Sequence, residues 1–218
     1  MLDFLDAVSA LILLSAFLLM VGKRVISYIR FFRLQSLLIA VGAGVMGVVS
    51  LRTTGRFDLL LVCAIIIAIK VIYIPNFLKK VYSRGEHTVE KDFFLNIPLL
   101  TLISCGIVLF VYFIVNQVQL LTADEINTQV VISISVVLMG TFFMITRKNA
   151  IDQIIGFLTI ENGLFVTALF ATHGMPFIID LGIFVDLLTG VLVMGLMTFK
   201  INENFDSTNV NKLKNLRG

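Results

Sequence analysis

Seven continuous apolar stretches fill most of this chain, and each is about long enough to cross a bilayer core of roughly 30 Å. They cover residues 5–22, 31–51, 59–78, 93–115, 130–146, 151–172 and 177–199. No water reaches stray backbone groups inside a bilayer, so each stretch must close its own hydrogen bonds as an α-helix. Barrel strands would alternate in polarity over about ten residues, and these runs do not. The sequence predicts an all-α membrane protein of seven transmembrane helices.

Composition closes off other classes. Charged residues make up 14% of the chain against about 25% in globular domains, which leaves no room for a soluble domain. The distribution of basic residues then sets an orientation. With seven spans, 14 of the 17 Lys and Arg residues fall on one side, leaving Arg52 and Arg56 opposite and Lys70 within the membrane. By the positive-inside rule the N-terminus lies outside and the C-terminus in the cytoplasm. The chain divides into a four-helix membrane region (1–128), a three-helix region (129–200) and a polar cytoplasmic tail (201–218). The opening MLDFLDAVSA carries acids where a signal peptide would carry basic residues, so the first stretch is expected to stay as a helix.

Cofactor chemistry finds no support within the chain. Cys63 and Cys105 stand alone in apolar runs, and no metal-ligand spacing or Gly-rich phosphate loop occurs. No metal, cofactor or catalytic residue is predicted here, and the confined basic loops do not point to nucleic acid.

Three spans nevertheless carry an ionisable residue near mid-length: Lys70, Glu161 and Asp186. A central charge costs roughly 2.5–3.5 kcal/mol even on the lenient insertion scale. At 1.5 Å per helical residue the three lie within roughly 6 Å of one depth. Apolar surroundings disfavour the charged forms of acids and amines alike, which favours proton exchange between such groups. The row is therefore read as a proton or ion pathway. The competing reading is a static ion pair that only fixes helix packing.

The surroundings add supporting residues. Pro75 removes a helical hydrogen bond to the carbonyl of Val71 and leaves a polar acceptor beside Lys70. Asn162 can hydrogen-bond across helices. Gly182 and Gly190 flank Asp186 at four-residue spacing, a small face that permits close helix approach. Gly42, Gly44 and Gly47 form a second such face. Phe157 and Phe165 flank Glu161, while Asp180, His87 and His173 lie where water reaches them.

The segment RKNAIDQIIGFLTIENGLFVTALF, a last helix with a central acid and the tail NKLKNLRG resemble the hydrogenase-4 component E family. The IKVIYIP segment around Lys70 and Pro75 is similar to the matching helix of that family. Residues 129–200 also look like the K subunit of respiratory complex I and the C subunit of multi-subunit cation/proton antiporters. On that likeness Glu161 takes the place of the first membrane glutamate of the K subunit, and Asp186 stands near the second. The resemblance implies a non-catalytic subunit of a formate-hydrogenlyase-type complex in a prokaryotic cytoplasmic (inner) membrane. Its implied partners are antiporter-like membrane subunits, a membrane protein similar to the H subunit of complex I, and a peripheral redox arm. Nickel–iron and iron–sulfur centres or a quinone would belong to those partners. The alternative is a subunit of a cation/proton antiporter with no redox partner.

Overall fold

The computed structural model describes residues 2–55, 57–84, 96–122, 128–147, 149–171 and 190. Every described element is helical: α1 (Leu2–Val21), α2 (Val25–Thr54), α3 (Asp58–Ile66), a π-helical segment (Ile67–Tyr73), α4 (Ile74–Arg84), α5 (Ile97–Thr122), α6 (Thr128–Thr146) and α7 (Ala150–Ala171). α3, the π segment and α4 run on without a break. Among the described residues five helices are long and apolar enough to cross a membrane: Phe4–Val21, Val25–Thr54, Asp58–Ser83, Ile97–Gln117 and Thr128–Thr146. The sixth expected stretch is α7, a helix of 22 residues that carries Asp152, Gln153, Glu161 and Asn162 among apolar residues. Of the seventh, only Gly190 is described, and it is helical. Asp186 and Gly182 lie outside the described residues, as do Asp180, His87 and His173.

Local chemistry sets the helix ends. α1 stops at Val21, and Gly22 turns the chain beneath Tyr28, whose hydroxyl donates to the Gly22 carbonyl at 2.8 Å. A Cβ on Gly22 would stand 2.7 Å from that ring, so a larger residue would push the ring away. α2 starts at Val25, six residues before its apolar stretch, and its first turns are anchored by the buried Tyr28 and Ile29. Its 30 residues make a rod of about 45 Å. Gly55 ends it at φ 69°, a left-handed cap whose N–H reaches the Leu51 carbonyl. Asn149 starts α7 by accepting from the Ile151 and Gln153 amides.

Among the described elements α6 and α7 form the most extensive interface, built on glycine. A Cβ on Gly163 would meet the Val137 backbone nitrogen at 2.9 Å, and one on Gly156 the Met144 nitrogen at 3.0 Å. One on Gly140, from the α6 side, would meet the Ile160 nitrogen at 2.9 Å. The Thr167 hydroxyl donates to Ser133 across the same seam at 2.9 Å. α1 packs on α2 and α6, and the Gln129 amide of α6 donates to Asp6 of α1 at 2.8 Å. α2 touches α3, the π segment and α7. The expected small face on α2 is split between neighbours: Gly42 looks to Val8 of α1, Gly44 and Gly47 to Cys63 and Leu60 of α3. α5 lies at the margin and turns Phe113 and Leu102 outward, as a lipid-facing or partner-facing helix would.

Candidate functional site

The Lys70 side chain enters the bundle from the π segment and is buried, only 2% exposed. Pro75 explains the local winding. Proline has no N–H to donate, and in an α-helix its ring presses on the carbonyl four residues earlier. The preceding seven residues widen to a π-helix instead, and the Ile74 amide bonds back to the Ile69 carbonyl, five residues before it.

Lys70 meets α7 at two adjacent residues. Its Nζ lies 3.3 Å from Glu161 Oε1 and donates to Asn162 Oδ1 at 3.2 Å. The Asn162 amide nitrogen in turn donates to Gln35 Oε1 and Ser36 Oγ on α2, each at 3.2 Å. The Phe165 ring centroid is 5.9 Å from Nζ, close enough for a cation–π contribution. Phe157, on the other side of Glu161, points outward. All five polar side chains of this chain of contacts are buried. Three elements thus converge on one intramembrane cluster that carries opposite charges and a neutral amide bridge.

Lys70 and Glu161, two of the three residues expected at one depth, are in contact. Asn162 is more central than its expected role, since it joins the charged pair to α2. Gln35 and Ser36 were missed. Their signal was a polar doublet, LQSL, inside an otherwise apolar run. Gly190 is helical, and a Cβ there would meet nothing within 4 Å among the described residues.

A second buried charge was also missed. Arg147, which falls between the fifth and sixth apolar stretches, is buried at the end of α6. Its Nη2 donates to the Met20 carbonyl at 3.2 Å, and its guanidinium carbon lies 5.1 Å from the Tyr28 ring centre and 4.6 Å from that of Phe143. Those two rings pack edge to face at 5.1 Å. Asp152 is buried in the first turn of α7, where a carboxylate suits the helix dipole. Among the described residues no group of three or more His, Cys, Asp or Glu side chains is placed to hold a metal ion.

Such a site in apolar helices defines a membrane protein with a built polar centre, and the comparisons narrow the class. The chain is 24% identical to hydrogenase-4 component E of Escherichia coli over 149 residues, 68% of this chain and 69% of that one. Hydrogenase-4 component E of Shigella flexneri matches with the same figures. An uncharacterized protein of Mycobacterium tuberculosis is 35% identical over 116 residues, and the match spans 53% of this chain and 53% of that relative, about half of each. No family model matches the chain. No solved structure matches it. The likeness to a hydrogenase-4 component, with the apolar helices, fits a membrane subunit of a complex I-like complex.

Proposed function

We propose that the chain is a non-catalytic, multi-pass subunit of a group 4 membrane-bound hydrogenase or a related redox complex. In this reading Lys70, Glu161 and Asp186 carry a proton or sodium step coupled to electron transfer in partner subunits. The observation that carries it is the buried Lys70–Glu161 contact, which shares the Lys70 ammonium with the neutral amide of Asn162. Similarity to hydrogenase-4 component E supports a redox complex over an antiporter that lacks a redox arm.

The chemistry follows from the pairing. A proton arriving at Glu161 forms a neutral carboxylic acid and cancels its Coulomb attraction for Lys70. The ammonium keeps the Asn162 carbonyl as an acceptor, so it is not stranded in an apolar medium. Departure of the proton restores the attraction. Each cycle moves charge by a few ångströms, and a neighbouring acid such as Asp186 would feel the change.

The same reading places seven spans in a prokaryotic cytoplasmic membrane, N-terminus outside and tail inside, with Gly182 and Gly190 at the interface of the last helix. Nickel–iron and iron–sulfur centres or a quinone site belong to the redox arm, and antiporter-like subunits adjoin within the membrane. The test is the purified complex carrying Glu161→Gln, reconstituted in liposomes and driven by its electron donor. Intact assembly with ion uptake at background is expected. Uptake at the normal rate would overturn the proposal.

A further inference from the structure

Beside the charged cluster, on the outer flank of α2, runs an apolar groove of about 660 Å³. Leu37, Val41, Gly44 and Val48 of α2 form one wall, and Cys63, Ile67 and Val71 of the neighbouring rod form the other. That volume lies within the roughly 300–1,000 Å³ of sites that hold small ligands. The groove has a floor. The α2 and α3 backbones close to a glycine contact at Gly47, where a Cβ would meet the Leu60 nitrogen at 3.0 Å. Lining residues run from Leu37 to Val49, about 18 Å along α2, close to the roughly 15 Å depth of one leaflet.

The upper end of the groove is basic. Arg33 stands one turn before Leu37 on the same helical face, and Arg30 precedes it by three residues. Arg33 Nη2 donates to Asn76 Oδ1 of α4 at 2.8 Å, which ties the two groove walls together at this end. Lys79 and Lys80 follow Asn76 by three and four residues and share its side of α4. Arg33 Nε is shielded and meets no acceptor among the described residues. No described residue forms an ion pair with Arg30, Arg33, Lys79 or Lys80. Four cations thus stand at one end of an apolar slot.

We propose that this groove is a binding site for one anionic phospholipid. Its phosphate sits among Arg33, Arg30 and the α4 lysines, and one acyl chain lies along Val41, Gly44 and Ile67. Charge complementarity selects the headgroup, since a guanidinium with donors left over binds phosphate oxygens as a fork. The dimensions select the tail. The apolar lining runs about 18 Å along α2, near the depth of one leaflet, which suits an extended acyl chain. The site is separate from the Lys70 cluster, so its failure and the failure of the ion-pathway reading are distinguishable.

The experiment is native mass spectrometry of the full chain within its purified complex, titrated with phosphatidylglycerol, phosphatidylcholine or inorganic phosphate. Phosphatidylglycerol is expected to bind about fivefold or more tighter than phosphatidylcholine, on the scale of one basic side chain near a charged lipid surface. Inorganic phosphate at equal concentration should not displace it, because a free anion gains nothing from the groove. The double variant Arg30→Gln/Arg33→Gln should abolish the preference while leaving assembly and ion uptake unchanged. Val41→Trp, at the open rim of the groove, should weaken binding of long-chain lipid with the basic end intact, and it serves if the double variant fails to assemble. Equal binding of both lipids, an unaltered preference in the double variant, undiminished lipid binding in Val41→Trp, or displacement by inorganic phosphate overturns the proposal. Replacement of lipid by an acidic segment of a partner subunit, detected as a cross-link to Arg33, overturns it as well.

Discussion

Asn162 grips Lys70 with its carbonyl oxygen and Gln35 with its amide nitrogen, both at 3.2 Å. One neutral side chain therefore couples the intramembrane cation to α2. An amide suits this place because it is donor and acceptor at once and carries no charge to be desolvated.

Asn162→Leu has nearly the same volume but offers no polar atom. It leaves Lys70 without its neutral acceptor, and Gln35 and Ser36 without a donor. A buried group stripped of its partner costs about 1–3 kcal/mol, more when it is charged. The variant should lower the thermal midpoint of the detergent-purified complex by several degrees and slow ion uptake. Asn162→Gln, which retains the amide, should recover part of both. A midpoint unchanged in Asn162→Leu would show that the bridge carries no energy.

The Lys70–Glu161 pair lends itself to a double-mutant cycle. Lys70→Met removes the ammonium from a buried carboxylate, and breaking a buried pair on one side costs about 3–5 kcal/mol. Lys70→Met/Glu161→Gln removes both charges and should be more stable than Lys70→Met alone. Both variants should lose coupled uptake, which separates stability from conduction. Equal midpoints in the single and double variants would mean that the two groups do not interact energetically.

The glycine seam between α6 and α7 predicts a steric result. Gly163→Val puts atoms where Val137 Cγ2 is already 2.7 Å from a notional Cβ, and rigid backbone stands 2.9 Å away. The helices would have to part, and the Lys70 contacts on α7 would part with them. Recovery of assembled complex should fall severalfold. Gly106→Ala on α5, where a Cβ meets nothing within 4 Å, is the control and should assemble normally.

How far the sequence could be read depends on what kind of signal each feature leaves. The five apolar helices long enough to cross a membrane, and α7, were legible because continuous apolarity admits one backbone solution in lipid. Lys70 and Glu161 were legible because a mid-span charge is costly and equal depth permits contact. Gln35 and Ser36 were not, since uncharged polar residues in a membrane helix are cheap enough to pass unnoticed. The π segment leaves no signal beyond Pro75, whose effect on winding depends on what the neighbouring helices allow. Arg147 and Asp152 fall at the ends of runs, where water is the default partner. Only tertiary packing decides that the Tyr28 and Phe143 rings cover the arginine instead. Of the small faces expected, Gly182 lies outside the described residues and Gly42, Gly44 and Gly47 meet α1 and α3, whereas Gly140, Gly156 and Gly163 between α6 and α7 were missed.

Arg147 leads to the last prediction. Its planar guanidinium reaches the Met20 carbonyl while lying within 5.1 Å of the Tyr28 ring centre and 4.6 Å of the Phe143 ring centre. A lysine keeps the charge and can reach the carbonyl, but it cannot stack on two rings or fork its hydrogen bonds. Arg147→Lys should therefore destabilise despite being charge-conserving, by about 1–2 kcal/mol from the lost cation–π and packing contacts. Because the arginine fastens the end of α6 to the end of α1, the loss should appear as faster amide exchange in residues 16–28. Exchange around Lys70 should stay as in the unmodified protein. Uniform acceleration across the chain would instead mark global unfolding, and unchanged exchange in residues 16–28 would show that the arginine is not the fastening.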